Sequence, residues 1–142
     1  MNWDDLNHEK NYGSIKCYTQ SKLCNLLLTH ELAKRLSTSS NVTVNALHPG
    51  VIRTELGRYL SLSYGWIVNV FEILLTPFVY WFFKSAYEGA QTTIYCVVSE
   101  DLKGCTGKYF SDCKEKAVLP FASSDGDSLR LWEISEKLCG PI

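Results

Sequence analysis

From about Thr19 to Leu36 apolar residues return at three- and four-residue steps, at Leu23, Leu26, Leu27, Ala33 and Leu36. That is the period of a helix with one side in a core. Glu31, Lys34 and Arg35 mark a wetter side, while Cys24, Leu28 and Leu32 widen the apolar face, as in a helix covered on two sides. The polar run 37–41 ends it. Val42-Thr43-Val44-Asn45-Ala46-Leu47 is short, β-branched and bounded by turn residues, which predicts a strand stopped by His48-Pro49-Gly50. Ser85-Ala86-Tyr87-Glu88 has the spacing of a capping box and opens a predicted helix through about Val98, with Ala90, Ile94, Tyr95 and Val97 as its buried positions. Gly104 and Gly107 frame a turn into a second short strand, Lys108-Tyr109-Phe110. In the tail, Asp127 or Ser128 is expected to cap a helix carrying Leu131, Ile134 and Leu138, closed by Gly140-Pro141.

Two stretches do not fit this alternation. Residues 1–17 are polar and mixed and read as a loop leading into the first helix. Residues 66–83 are apolar and aromatic, interrupted by Asn69, Glu72 and Pro77. A spanning helix needs ~20 predominantly apolar residues. The run therefore reads first as a lid or wall over an apolar pocket, then as a surface in the membrane interface, and last as a span.

A helix feeding a strand that ends in Pro-Gly is an α/β unit, and in open α/β sheets ligands collect beyond the carboxyl ends of strands. Composition changes this picture little. The chain has 142 residues, 46% of them hydrophobic, enough for one domain with a core. With 14 basic and 15 acidic residues it carries no electrostatic footprint for nucleic acid. Six cysteines without a C-x-x-C pair match no zinc spacing and read as reduced thiols, so no metal site is expected. The polar, acidic amino terminus lacks the pattern of a signal peptide.

Candidate chemistry lies in Tyr18-Thr19-Gln20-Ser21-Lys22. Residues four apart share a helix face, so the Tyr18 phenol and Lys22 ammonium can approach each other. A phenol has a reference pKa of ~10, and a fixed cation beside it favours the phenolate. Such a pair can serve as a general acid/base. Tyr12 with Lys16 and Tyr80 with Lys84 repeat the spacing. Gly13 disfavours a helical turn through the first, and the second, at the edge of the apolar run, reads as a membrane or packing pair. Neither has a strand and a Pro-Gly turn behind it. Gly50 would let the backbone come close to a flat ligand, and Thr54 can offer a hydroxyl one turn later. His48 reads as a strand-end hydrogen-bonding residue, His8 and His30 as facing solvent or a local carboxylate, and Cys17 as a half-buried structural thiol.

The ordered set Tyr18-x-x-Ser21-Lys22, strand, His48-Pro49-Gly50-Val51-x-x-Thr54 and Lys108-Tyr109-Phe110-Ser111-Asp112 resembles the carboxyl-terminal half of a short-chain dehydrogenase/reductase. Within that family the likeness is to the retinol dehydrogenase branch, and it covers almost the whole chain, 1–142, as one partial domain. The resemblance implies an α/β fold, the C-terminal part of a Rossmann-like doubly wound parallel sheet, with the N-terminal nucleotide-binding half missing. It implies that Tyr18 is the acid/base at the substrate oxygen and that Lys22 holds the nicotinamide ribose and lowers the Tyr18 pKa. Pro49, Gly50 and Val51 would line the nicotinamide, and Thr54 would contact the cofactor nearby. The cofactor would be NADP(H), with NAD(H) left open. The substrate would be an apolar alcohol or aldehyde such as a retinoid or another lipid, facing the 66–83 stretch. A homo-oligomer, a membrane surface, and residence at the endoplasmic reticulum membrane or the cytoplasmic face of a membrane follow as expectations, with mitochondrial or cytoplasmic residence as the alternative.

The departures from the family are equally specific. None of the nine glycines forms a glycine-rich turn after a strand, where the family places pyrophosphate on a helix amino terminus. Only two strands can be read, and the family's upstream serine and asparagine have no match. The chain alone is therefore expected to be inactive, or else to be a non-catalytic fragment that pairs with a full-length relative through the 23–36 and 85–98 helices or associates with membrane.

Overall fold

The structure, a computed structural model, describes residues 1–37, 41–52 and 83–140. The elements run α1 (Ser14–Ser37), β1 (Ala46–His48), α2 (Ala86–Val98), a 3-10 turn (Glu100–Leu102), β2 (Tyr109–Ser111), β3 (Lys114–Glu115), a second 3-10 turn (Pro120–Ala122) and α3 (Asp125–Cys139). The architecture is α/β. The chain divides into two compact units, one of Met1–Ala46, Leu102–Tyr109 and Glu115–Ile142, the other of Leu47–Asp101 and Phe110–Lys114. The 54–82 part of the sequence expectations, Thr54 and nearly all of the apolar run included, lies outside the described residues, as does Pro141.

In the first unit α1 begins earlier than its periodicity indicates. The Gly13 carbonyl accepts the Cys17 N–H at 2.8 Å, so glycine acts as the N-cap and residues 14–17 are helical, not loop. Tyr12 stays outside the helix while Lys16 is inside it. α1 packs on α3. Leu27, fully buried, and Ala33 on one helix, with Leu131 and Ser128 on the other, form the core here. Glu31, expected on the wet side, is buried. Its carboxylate is held by Arg35 Nε one turn on at 2.7 Å, and the Arg35 guanidinium lies 4.5 Å over the Trp132 ring of α3. A charge is tolerated there because it arrives with its partner and the partner stacks on an aromatic face.

The cap of α3 is Ser124, whose hydroxyl accepts the Asp127 N–H at 3.3 Å, not Asp127 or Ser128. Asp125, the first helical residue, takes His30 Nε2 at 2.9 Å and the Lys34 ammonium, both from α1. The Lys34 and His30 contacts hold its carboxyl below the usual aspartate value. His30 thus meets a carboxylate from far along the chain, not a local one.

The strands form one sheet in the order β1-β2-β3, one strand more than the sequence shows. Gly107 N–H donates to Val44 O at 2.7 Å and Ala46 N–H to Lys108 O at 2.9 Å, both chains advancing together as in a parallel pair. β2 and β3 instead form a hairpin, so the sheet is mixed, not all parallel. Its two-residue turn, Asp112-Cys113, has φ of 55° and 56°, the positive values that a type I′ turn requires. The predicted strand over 42–47 is found at 46–48. The Asn45 side chain interrupts the ladder, with Nδ2 donating to Cys105 O at 2.8 Å and Oδ1 accepting Lys108 N–H at 3.0 Å.

In the second unit α2 starts as expected. Ser85 and Glu88 form the full capping box, Glu88 N–H to Ser85 Oγ at 3.2 Å and Ser85 N–H to Glu88 Oε2 at 2.7 Å. Its buried side is different from the expected one. Gly89 and Thr92 are buried, whereas Ala90, Ile94 and Val97 are exposed and Tyr95 is half-buried. Thr92 Oγ1 accepts the Cys113 N–H at 3.3 Å, and Phe110, 1% exposed, meets the Tyr95 ring edge-on at 6.2 Å. A small-residue face lets the helix approach closely, at the cost of leaving its larger apolar residues uncovered.

Candidate active site

α1 carries Tyr18 and Lys22 one turn apart. The Lys22 ammonium lies 5.3 Å from the centroid of the Tyr18 ring, within cation–π range. Ser21, between them, turns its hydroxyl back to the Tyr18 carbonyl at 2.7 Å. Tyr18 is 64% exposed, so its ring is open to a ligand. A cleft of about 1040 Å³ in the first unit opens on the neighbouring face of α1, past Tyr12, Ile15, Lys16, Thr19 and Leu23; neither Tyr18 nor Lys22 lines it.

Pro49, Gly50 and Val51 belong to the second unit. Gly50 has φ of +89°, a conformation that only glycine adopts freely. A Cβ built there would lie 2.8 Å from Lys84 Cδ and 3.1 Å from Lys84 Nζ. Val51 is exposed, and its carbonyl accepts the Lys84 N–H at 2.9 Å. Its own N–H has no partner among the described residues. Ile52 and Lys84 pair in an isolated parallel bridge. Thr54 is outside the described residues.

Three features escaped the sequence reading. Lys84, taken for a membrane or packing residue, forms an ion pair with Asp112 of the hairpin turn. Nothing local links residues so far apart, although Asp112 closes the Lys108-Tyr109-Phe110-Ser111-Asp112 motif. Asp5 is the second. Desolvation raises its pKa, but backbone N–H donors from Asn11, Glu9 and Lys10 outweigh this and leave it lowered. The third is His8, at φ 54°, whose Nδ1 lies 3.3 Å from Asn11 O and whose Nε2 is buried with no partner among the described residues. The described residues contain no His/Cys/Asp/Glu group able to hold a metal and no helix long and apolar enough to cross a membrane. All six cysteines are free; Cys17 is half-buried, and burial pushes the Cys24 thiol up.

No protein-family model matches the chain. Curated relatives do. It is 46% identical to retinol dehydrogenase 14 of Homo sapiens over 144 residues, 99% of this chain and 40% of that protein. The chain is thus similar to retinol dehydrogenases along nearly its whole length. Retinol dehydrogenase 12 of Homo sapiens is 46% identical over 136 residues, 96% of this chain and 40% of the relative. Retinol dehydrogenase 13 of Mus musculus is 43% identical over 141 residues, 99% of this chain and 41% of the relative. The resemblance carried by the Tyr18–Lys22 helix and the Pro49-Gly50 turn therefore extends along the chain, which spans about two fifths of the length of these relatives.

Proposed function

We propose that this chain is the proton-transfer portion of an NADP(H)-linked oxidoreductase of retinol dehydrogenase type, within a Rossmann-like doubly wound fold. The observation that carries the reading is the Lys22 ammonium over the Tyr18 ring. A bound nicotinamide would supply or accept the hydride. Tyr18 Oη gives its proton to the oxygen of an apolar aldehyde as that oxygen gains charge, leaving an alcohol and a phenolate that solvent reprotonates; oxidation runs the same path backwards. The fixed charge of Lys22 stabilises the phenolate and can hold ribose hydroxyls. The Val51 N–H and the glycine turn at 50 suit a flat cofactor ring, with Pro49 setting the turn and Thr54 following it in sequence. A retinoid or another lipid aldehyde fits the apolar 66–83 stretch, and association with the endoplasmic reticulum membrane agrees with that composition.

The chain by itself is proposed to be inactive, because its sequence holds no glycine-rich turn for pyrophosphate. Titrating NADPH into the purified chain tests this. We expect no saturable binding; saturation with turnover of an apolar aldehyde would refute it.

One observation favours a second reading, a non-catalytic partner of a full-length relative. Tyr87, Ile94, Val97 and Val98 form an exposed apolar stripe on α2, 76%, 47%, 78% and 67% exposed. Leu27 on α1 cannot serve that purpose, since it is fully buried inside its own unit. Co-purification with a relative that is lost when Ile94 and Val97 become aspartate would support pairing through α2. Retention of the complex in that variant would exclude it.

A further inference from the structure

We infer that Lys84 and Asp112 are a positioning pair for the Pro49-Gly50-Val51 turn. Lys84 reaches that turn in three ways: its N–H bonds Val51 O at 2.9 Å, its backbone bridges Ile52, and its alkyl chain fills the space where a Cβ of residue 50 would stand. A long flexible side chain lies there in one place only if its end is held. Asp112 holds it. The Asp112 carboxylate pairs with the Lys84 ammonium and also accepts the Ser111 hydroxyl at 3.2 Å. Asp112 is itself fixed, since it occupies a turn with φ of 55° and the next residue, Cys113, donates its N–H to the buried Thr92. The chain of contacts thus runs from the buried face of α2 through the hairpin turn and the lysine to Gly50. Asp112 reaches the turn through its ion pair with Lys84.

This rests on the reading of Gly50 and Val51 as the cofactor-facing turn for its purpose, but not for its physics. The arrangement explains why glycine stands at 50, why a lysine opens the segment before α2, and why an acidic residue closes the motif after β2.

The test uses the chain as it is, with amide resonances recorded for the parent, Lys84→Met, Asp112→Asn and the double variant. Methionine keeps an unbranched chain over Gly50 and removes the charge. Asp112→Asn is expected to shift the Gly50 and Val51 signals along with those of its own turn. Lys84→Met should move them in the same sense, and the double variant should move them no further than a single one. The backbone amide of residue 84 should exchange about three- to fivefold faster in each, the range open to a partly exposed ion pair. Lys84→Arg, which keeps the charge, should restore sensitivity to Asp112. Gly50 and Val51 signals that stay in place in a folded Asp112→Asn chain would overturn the proposal, as would additive shifts in the double variant. A purely structural loss would lower the melting temperature without moving native-state signals at residue 50. None of these outcomes depends on a cofactor, whose role is tested separately through Tyr18.

Discussion

Replacing Gly89 by alanine should change sign with its surroundings. Gly89 is buried within α2, and a Cβ there would lie 2.2 Å from Ile52 Cδ1 and 2.7 Å from its Cγ1. Two effects compete. Alanine is favoured over glycine in a helix interior by about 0.8–1.0 kcal/mol. Against this, forcing a methyl into an occupied space costs about 1–3 kcal/mol. The overlap exceeds 1 Å relative to the 3.4 Å at which ordinary contact begins, so the upper part of that range applies and the net loss is about 1–2 kcal/mol. Ile52→Ala removes the atoms responsible. In that background Gly89→Ala should stabilise the chain by roughly the helix-propensity gain alone, up to ~1 kcal/mol. Urea unfolding followed by circular dichroism on the four proteins gives the cycle directly. Equal effects of Gly89→Ala in both backgrounds, within the ~0.5 kcal/mol expected of independent sites, would refute the close approach of α2 to Ile52.

Other consequences can be checked alongside. Leu27→Ala should cost about 2–5 kcal/mol in the same unfolding assay, because the side chain is wholly buried between α1 and its neighbours; a loss below ~1 kcal/mol would mean that the α1–α3 core is not formed. Cys113→Gly should stabilise the hairpin by about 1 kcal/mol, since the residue holds φ of 56° that costs a side chain roughly that much. An unchanged or lower midpoint would argue against the type I′ turn. Asp125 is held below its ordinary pKa of 3.8 by Lys34 and His30, so the stability it adds is present above that value and lost as pH falls through the lowered one. Asp125→Asn should therefore melt below the parent at neutral pH, with the gap closing on the acid side of 3.8. A gap that persists in acid would point away from the ion pair.

Local signals were legible and long-range ones were not. The capping box at Ser85 and Glu88, the 3.6-residue period of α1 and the Tyr18–Lys22 approach all depend on residues within one helical turn. The start of α1 at Ser14 was hidden because its cap is the carbonyl of Gly13, which no side chain advertises. Ser124 was legible in principle, since Ser124-Asp125-Gly126-Asp127 has the spacing of a capping serine and an acidic N3 residue. Burial of Glu31 depends on Arg35 stacking on Trp132, and the short β1 on the Asn45 amide meeting Cys105 and Lys108; both partners are remote in sequence. The exposed stripe on α2 shows the same limit from the other side. Its apolar period is real, but the face that packs is chosen by Gly89 and Thr92, where Ile52 and the hairpin turn come close.

Tyr18 is the proposed proton donor, and the chain spans about two fifths of the length of its relatives. The most direct measurement joins it to the part of Homo sapiens retinol dehydrogenase 14 that it does not match and follows NADPH oxidation with an apolar aldehyde. Turnover is expected in the joined protein and should fall about 10²–10⁴-fold in Tyr18→Phe, the usual worth of a general acid. A Tyr18→Phe protein that still turns over at the parent rate would contradict the account.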